Sequence, residues 1–130
     1  FLGRNVKGKD VLIIDDMISS GDSMIDVAKE LKKREAGRIF AASTFGLFTN
    51  GLEKFDKAYE SGLIDKVLTT NLIYQKDELL TKPWYQSVDM SKYIALLIDT
   101  LNHYKSISSL LSPTDRIRNL IRRYEKGEFK

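Results

Sequence analysis

The segment Val11-Leu-Ile-Ile-Asp-Asp-Met-Ile-Ser-Ser-Gly-Asp-Ser23 decides how this chain folds. From Asp10 to Asp15, four apolar residues lie between charged ends, which is typical of a strand buried on both faces of a parallel sheet. Residues 17–22 carry Ser-Ser-Gly-Asp and predict a turn. Apolar residues then recur at helical spacing and predict an amphipathic helix, at Met24, Val27, Ala28 and Leu31.

Capping residues predict where the first two helices begin and end. Ser23 and Asp26 have the spacing of a capping box at the start of the first helix, and Gly37 lies where that helix should end. Asn50 is the expected N-cap of the second helix, which should end at Gly62. The predicted apolar face of the second helix consists of Leu52, Phe55 and Tyr59.

The remaining apolar patterns continue the alternation of strands and helices. Strands are predicted at 38–44, 66–70 and 86–89, and a helix at 90–103. A last, basic amphipathic helix is predicted after Pro113. Strands that alternate with helices over short connections indicate an α/β domain with a mainly parallel sheet flanked by helices, followed by a helical C-terminal tail.

This fold predicts both the domain limits and the position of a ligand. The domain should comprise residues 1–111, and residues 112–130 should form the tail. Ligands of such sheets bind beyond the carboxyl ends of the strands, which here means residues 15–23, 44–50 and 69–71.

Composition indicates an ordinary globular domain. The chain has 130 residues, 42% of them hydrophobic and 30% charged, so one compact core is expected. Cysteine is absent, which excludes disulfides and fits a cytoplasmic location. No apolar run approaches the roughly 20 residues of a membrane-spanning helix, so no membrane partner is expected. The start without Met leads us to expect a piece of a longer protein.

The basic charge belongs to the tail. Residues 112–130 hold six Lys or Arg and three Asp or Glu, and this excess of three equals the formal charge of +3 of the whole chain. A nucleic-acid partner is not expected, because no aromatic and basic residues interleave there; a solvated helix face is the favoured interpretation.

The loop after the first strand has the groups that a phosphate needs. Free backbone N–H groups at a helix start favour an anion, and Gly21 lets the backbone approach it closely. The hydroxyls of Ser19, Ser20 and Ser23 add hydrogen-bond donors. Asp15 and Asp16 should do a different job, because carboxylates repel phosphate.

The paired carboxylates are suited to a sugar or to a hydrated metal ion. As pure acceptors they can bind two neighbouring sugar hydroxyls, or hold Mg²⁺ through water. A phosphate cup beside a diol clamp describes a ribose 5-phosphate site. Taken singly, Ser23 is better explained as a helix cap and the two Asp residues as a solvated strand end. Taken together, in this order after a strand and before a helix, these residues favour the functional interpretation. The predicted substrate-binding residues are Asp15, Asp16, Ser19, Ser20, Gly21, Asp22 and Ser23.

This segment resembles the phosphoribosyl-pyrophosphate-binding signature that phosphoribosyltransferases share with ribose-phosphate pyrophosphokinases. Later segments are similar to those of the pyrophosphokinases: Thr44-Phe-Gly-Leu-Phe48, Leu68-Thr-Thr-Asn-Leu-Ile73, Val88-Asp-Met-Ser91 and Ser106-Ile-Ser-Ser-Leu-Leu111. The resemblance covers about Gly8 to Leu111, in consistent order, and corresponds to the carboxyl-terminal half of that family with a phosphoribosyltransferase-like fold.

The resemblance implies transfer of diphosphate from ATP to ribose 5-phosphate with Mg²⁺, for nucleotide biosynthesis. It also implies that the ATP site and a basic catalytic loop come from the amino-terminal half, in a homo-oligomer. This chain alone is therefore expected to be inactive, and no catalytic residue or metal ligand is assigned in it.

Departures from the family pattern bear on the site. The loop has Asp22 where Gly is common, and this carboxylate would repel phosphate unless it points outward. Phe45 replaces a His, and the tail after Leu111 exceeds the usual ending. Two other functions stay open: a phosphoribosyltransferase, and a non-catalytic subunit associated with a synthetase.

Three further residues have a structural and a functional interpretation. His103 is expected at the surface or as a cap, and Trp84 is expected to be a packing anchor rather than a stacking platform. Asn71 could reach a ligand from its strand end or could stabilise a turn.

Overall fold

The computed structural model describes residues 5–104, 106–108 and 114–128. The predicted boundary at residue 111 and residues 109–111 of the closing segment lie outside these ranges, so the domain limits stay a prediction. The chain divides into two compact units, at Phe1–Met90 and Ser91–Lys130. Within the described residues no helix has the length and apolarity to cross a membrane.

The first unit contains a parallel sheet. Its described strands are β1 (Val11–Ile18), β2 (Ile39–Gly46), β3 (Lys66–Thr70) and β4 (Tyr85–Val88), in the spatial order β1-β2-β3-β4. Each strand pairs in parallel with the next. The helices between them are α1 (Asp22–Lys33), α2 (Glu53–Glu60) and the short α3 (Asp77–Leu80). The predicted α/β fold with a parallel sheet is thereby confirmed, although α3 was not predicted.

The second unit is helical in its described part. It contains α4 (Ser91–Asn102) and α5 (Thr114–Glu125), which agree with the predicted helix at 90–103 and the predicted helical tail. His103 follows α4 at the surface, and its Nδ1 lies 2.9 Å from the backbone oxygen of Asp99.

The sheet is buried on one face. Side chains alternate between faces along a strand, and Ile39, Ala41 and Val67 of one face are fully buried. On the other face Leu12 is 54% exposed and Ile14 is 75% exposed. The prediction of a first strand buried on both faces is therefore wrong. The apolar side chains of α1 and α2 belong to the same core cluster as the buried face of the sheet. The prediction was wrong because an apolar run in the sequence does not reveal which faces of its strand are covered.

The start of α1 differs from the capping-box prediction. β1 extends to Ile18, so Met17 and Ile18 belong to the strand and not to a turn. Gly21 is the N-cap, in the left-handed conformation at φ 82°, and no side chain caps the helix. Ser23 is therefore already inside the helix, and Asp26 pairs with Lys29 instead, at 2.9 Å.

The end of α1 also precedes the predicted glycine. The helix ends at Lys33, and Glu35 takes the left-handed conformation at φ 58°. Gly37 serves a different purpose, because its N–H donates to the Lys9 carbonyl oxygen at 2.8 Å. A Cβ at Gly37 would lie 3.2 Å from that oxygen, so the glycine allows two segments of backbone to meet.

The second helix begins later than predicted. Leu52 is the N-cap of α2, without a side-chain cap, so Asn50 does not cap it. Gly62 has a φ of 67° just after the helix, as predicted for its end. Leu52 and Phe55 are buried as predicted, but Tyr59 is 39% exposed and Ala58 is buried in its place.

Trp84 is a packing anchor, as predicted. Its ring is 1% exposed and stacks on Phe55, with ring centroids 5.3 Å apart. Its Nε1 donates to Asp56 Oδ1 at 2.7 Å, and Lys82 donates to Asp56 Oδ2 at 2.8 Å. These two bonds, that from Lys82 first, hold the pKa of Asp56 below its usual range. Asp56 therefore ties α2 to the segment that leads into β4.

Replacing Asp56 tests this tie. Asp56→Asn should lower the free energy of unfolding by about 1 kcal/mol at pH 7, because a charge-assisted bond is lost. The folded-state pKa is depressed, so the stabilisation is present above the unfolded value of about 3.9 and is lost as the pH falls through the folded value. Urea unfolding at pH 7, 5 and 3 measures the difference from wild type. The difference in free energy of unfolding between wild type and Asp56→Asn should be equal at pH 7 and 5 and smaller at pH 3. The control is Asp26→Asn, which changes an exposed ion pair and should have little effect on the free energy of unfolding at any pH.

Candidate functional site

The carboxyl ends of the strands lie at one edge of the sheet. β1 places Asp15 and Asp16 near this edge and leads through Ser19, Ser20 and Gly21 into α1. The register pairs Asp15 with Ser43 of β2, which in turn pairs with Thr69 of β3. The ends of these strands therefore adjoin the loop that the sequence singles out.

A cavity of about 100 Å³ lies at the turn from β1 to α1. It is lined by Asp15, Met17, Ile18, Ser19, Ser20, Gly21, Ser23 and Met24. Of the seven predicted substrate-binding residues, the structure gathers five around this cavity. Asp16 and Asp22 do not line it.

Backbone donors at this cavity are free to bind a ligand. The first helical hydrogen bond of α1 runs from the N–H of Ile25 to the carbonyl oxygen of Gly21, at 3.0 Å. In residues 5–104, no hydrogen bond is found from the amides of Ser20, Gly21, Ser23 or Met24. Unpaired amides at a helix start carry partial positive charge, so an anion is the ligand that they favour.

Both neighbouring carboxylates belong to β1. Asp15 Oδ1 accepts a hydrogen bond from the N–H of Asp16 at 2.9 Å, and both side chains are exposed. The predicted clamp of two adjacent carboxylates stays a prediction, and Asp15 is the member that faces the cavity.

Asp22 is bound on the outside of the loop. Its Oδ2 accepts a hydrogen bond from Ser20 Oγ at 2.9 Å, and its Oδ1 accepts one from the ammonium of Lys54. These contacts, that with Lys54 first, lower the pKa of Asp22. The outward position that a phosphate site requires is therefore the one observed.

Gly21 is fixed by packing as well as by its backbone conformation. A Cβ on Gly21 would lie 2.4 Å from Cε2 of Phe55 and 2.5 Å from its Cζ. Its φ of 82° also disfavours any side chain. The start of α1 thus rests on a buried ring of α2, which the sequence analysis did not foresee.

The loop that follows β2 is hydrogen-bonded to the backbone that lines the cavity. The N–H of Leu47 donates to the Ile18 carbonyl oxygen at 2.8 Å, and the N–H of Thr49 donates to that of Ser19 at 3.0 Å. Gly46 has no room for a side chain, because a Cβ there would lie 2.7 Å from Cε2 of Phe48 and 2.8 Å from Cγ2 of Thr69. The segment from Thr44 to Phe48 therefore has a structural role next to the site.

The strand-end residue Asn71 joins the end of β3 to the segment that follows β4. Its Nδ2 donates to Asp89 Oδ1 at 2.9 Å, and its Oδ1 accepts from the N–H of Met90 at 2.8 Å. The sequence left open a ligand contact or a turn, and the observed bonds are instead a structural contact between two distant segments. Asn71 lines neither of the two cavities described here.

A larger cavity of about 320 Å³ lies at the same sheet edge, beyond β2 and β3. Gln75 holds one of its walls in place: Nε2 donates to the Tyr85 hydroxyl at 2.6 Å and Oε1 accepts from Ser87 Oγ at 2.7 Å. The lining residues are Gly46, Leu47, Phe48, Gly51, Leu52, Glu53, Ile73, Tyr74, Lys76, Glu78 and Leu79.

Lys54 is the residue that sequence reasoning missed. It lies 32 positions after Asp22 and carries no motif of its own. The sequence indicated such a residue only indirectly, because the carboxylate of Asp22 in a phosphate-binding loop needs a cation nearby to neutralise it.

Comparisons with known proteins agree with this geometry. A family model described as the phosphoribosyl synthetase-associated domain matches residues 2–112. The ribose-phosphate pyrophosphokinase of Shewanella oneidensis is 31% identical over 108 residues, which cover 83% of this chain and 33% of that protein. That of Mycoplasma genitalium is 44% identical over 71 residues, which cover 54% of this chain and 21% of that protein.

A solved structure is also similar. The crystal structure of phosphoribosylpyrophosphate synthetase from Mycobacterium smegmatis superposes with a TM-score of 0.68 at 22% identity, over 78% of this chain and 33% of that one. At this identity the likeness shows the fold. The chain spans about a third of the length of the Shewanella relative.

Gly21→Ala tests the packing at the start of α1. It should lower the free energy of unfolding by about 2–4 kcal/mol, because left-handed strain adds to a clash with Phe55. Gly62→Ala is the matched control, since Gly62 has a φ of 67° and nothing within 4 Å of an added Cβ. Its cost should be about 1 kcal/mol, from strain alone. Urea denaturation measures both, and equal costs would contradict the packing explanation.

Proposed function

Since the chain belongs to the phosphoribosyl synthetase-associated domain family, we propose that it is the ribose 5-phosphate-binding part of a ribose-phosphate pyrophosphokinase. In that reaction the anomeric hydroxyl oxygen attacks the β-phosphorus of ATP. The bond between the α- and β-phosphoryl groups breaks, the hydroxyl proton is lost, and AMP leaves. The proposed binding part is residues 1–111, with residues 112–130 as an added basic tail, acting in cytoplasmic nucleotide biosynthesis.

The observation that carries this proposal is the set of unpaired amides around the cavity at the start of α1. Ser20, Gly21 and Ser23 line the cavity, and their amides have no other partner in residues 5–104. The hydroxyls of Ser19 and Ser23 would supply further donors, whereas that of Ser20 donates to Asp22. A phosphate ester matches this arrangement, because it offers several acceptor oxygens and negative charge at one point.

The sugar would extend from this phosphate towards Asp15. Asp15 lines the same cavity and its carboxylate is a pure acceptor, which suits a ribose hydroxyl. Asp16 does not line the cavity, so it would reach the second hydroxyl at the rim or through water. Both residues stay within the proposed site, together with Ser19, Ser20, Gly21 and Ser23, and Asp22 belongs to the site's loop without contacting the phosphate.

Mg²⁺ would come with the substrates. Among the described residues there is no group of three or more His, Asp or Glu side chains that could enclose a metal ion. Mg²⁺ commonly uses one or two carboxylates together with phosphate oxygens and water, so Asp15 and Asp16 fit such an ion. When bound, it would neutralise the charge of the transferring group.

The remaining machinery is proposed to lie in the rest of the longer protein. Transfer of a diphosphoryl group needs cations that stabilise its developing charge. At the described cavity the nearby cation is Lys54, which is engaged by Asp22. We therefore assign the ATP site and the catalytic cations to the other part of the protein, in a homo-oligomer.

A second candidate is a non-catalytic subunit that associates with an active synthetase. Asp22 and Phe45 favour it, because both depart from the family pattern at the site. A phosphoribosyltransferase explains the loop equally well but not the later segments. Binding that depends on a nucleobase would favour that third function.

Calorimetric titration tests the binding assignment. The chain should bind ribose 5-phosphate, and the paired change Asp15→Ala/Asp16→Ala should weaken this by at least about tenfold, because the acceptors of the hydroxyls are lost. Asp26→Asn, on the exposed side of α1, is the control and should bind as wild type does. Unchanged affinity in the pair variant would refute the role of the two carboxylates.

A second test concerns turnover. The chain incubated with ribose 5-phosphate, ATP and Mg²⁺ should yield no AMP above the background. Chromatography of the nucleotides measures this, and the Shewanella oneidensis pyrophosphokinase is the positive control. Sustained AMP release by this chain would place the nucleotide site within it. It would refute the proposal that the ATP site and the catalytic cations lie in another part of the protein.

A further inference from the structure

Lys54 connects the second helix to the anion-binding loop. It lies in the first turn of α2, and its ammonium donates to Asp22 at the start of α1. The other carboxylate oxygen of Asp22 accepts from Ser20 Oγ at 2.9 Å. The side chains of Lys54 and Asp22 are 40% and 58% exposed, so their pair is open to solvent on one side.

Asp22 is a potential competitor for the site beside it. Its neighbours in sequence, Gly21 and Ser23, both line the cavity, whereas Asp22 does not. Unpaired amides at the start of α1 attract any anion within reach, and an unrestrained carboxylate in the first turn is such an anion. A carboxylate next to these amides also repels a phosphate.

We propose that Lys54 is a positioning residue of the anion site, which holds the Asp22 carboxylate outside the loop and neutralises it so that the amides stay available to a phosphate. This inference rests on the proposed function and deepens it. It identifies the ligand feature that Lys54 controls, namely the phosphoryl group and not the sugar.

The contacts explain why Asp22 is compatible with a phosphate site. Lys54 neutralises the negative charge that Asp22 adds to the loop, and Ser20 binds the other oxygen of the same carboxylate. These bonds, that with Lys54 first, lower the pKa of Asp22 and so favour the ionised, paired carboxylate. Without Lys54, Asp22 would lose its hydrogen-bonded cation, and the weaker charge interaction with Lys29 would remain.

The test is titration of the 130-residue chain with ribose 5-phosphate and, separately, with inorganic phosphate. Lys54→Met should weaken both by about tenfold, as expected for an unscreened charge a few ångströms from the anion. Lys57→Met removes the same charge from an exposed position on the same helix and should change both by less than about twofold. Thermal unfolding of each variant shows that the compared chains are folded.

Two further variants separate positioning from a general loss of structure. Lys54→Arg keeps the cation and should bind within about threefold of wild type. Asp22→Asn/Lys54→Met removes both charges, so its affinity should return to within about threefold of wild type. If the double variant stays as weak as Lys54→Met, Lys54 does not act through Asp22 and the inference is overturned.

The outcomes also distinguish this inference from the proposed function. If wild type binds neither ribose 5-phosphate nor inorganic phosphate, the proposed function fails. If wild type binds both, and Lys54→Met behaves as Lys57→Met does, the proposed function stands and the role of Lys54 is refuted.

Discussion

The contact between Gly21 and the ring of Phe55 is the constraint on which the site depends. An added Cβ would lie 2.4 Å from that ring, so the backbone at the start of α1 rests directly on α2. Phe55 in turn stacks on Trp84, which is almost fully buried. The loop that carries the serines is therefore attached to a buried aromatic cluster of the core, which holds its amides in place without a ligand.

The same helix acts on the loop in two ways. Phe55 supports it by packing, whereas Lys54, the residue before it, acts by charge through Asp22. Adjacent residues of a helix point in different directions, so one side chain can enter the core while the next remains at the rim. α2 is thus a structural support and, in our proposal, also sets the electrostatic character of the anion site.

Short-range patterns in the sequence predicted much of this fold. β3 was predicted with its observed limits, and the phosphate loop was located because strand, small residues and helix follow one another within a few positions. Contacts between distant segments were not predictable in this way. Gly21 meets Phe55, 34 positions later, and Asp22 meets Lys54, 32 positions later. The capping box predicted at Ser23 does not form, because Gly21, which packs against Phe55, is the N-cap. The uncovered face at Ile14 was missed because an apolar run reports hydrophobicity and not what packs against it.

The segment from Gly46 to Thr49 lines the larger cavity and is hydrogen-bonded to the backbone that lines the smaller one. Its amides hold the backbone of Ile18 and Ser19 on one side, while Gly46, Leu47 and Phe48 form part of the wall of the larger cavity on the other. A shift of this segment of main chain would therefore change the shape of both cavities together. It would move the backbone of Ile18 and Ser19, which lines the smaller cavity, and also the wall of the larger cavity.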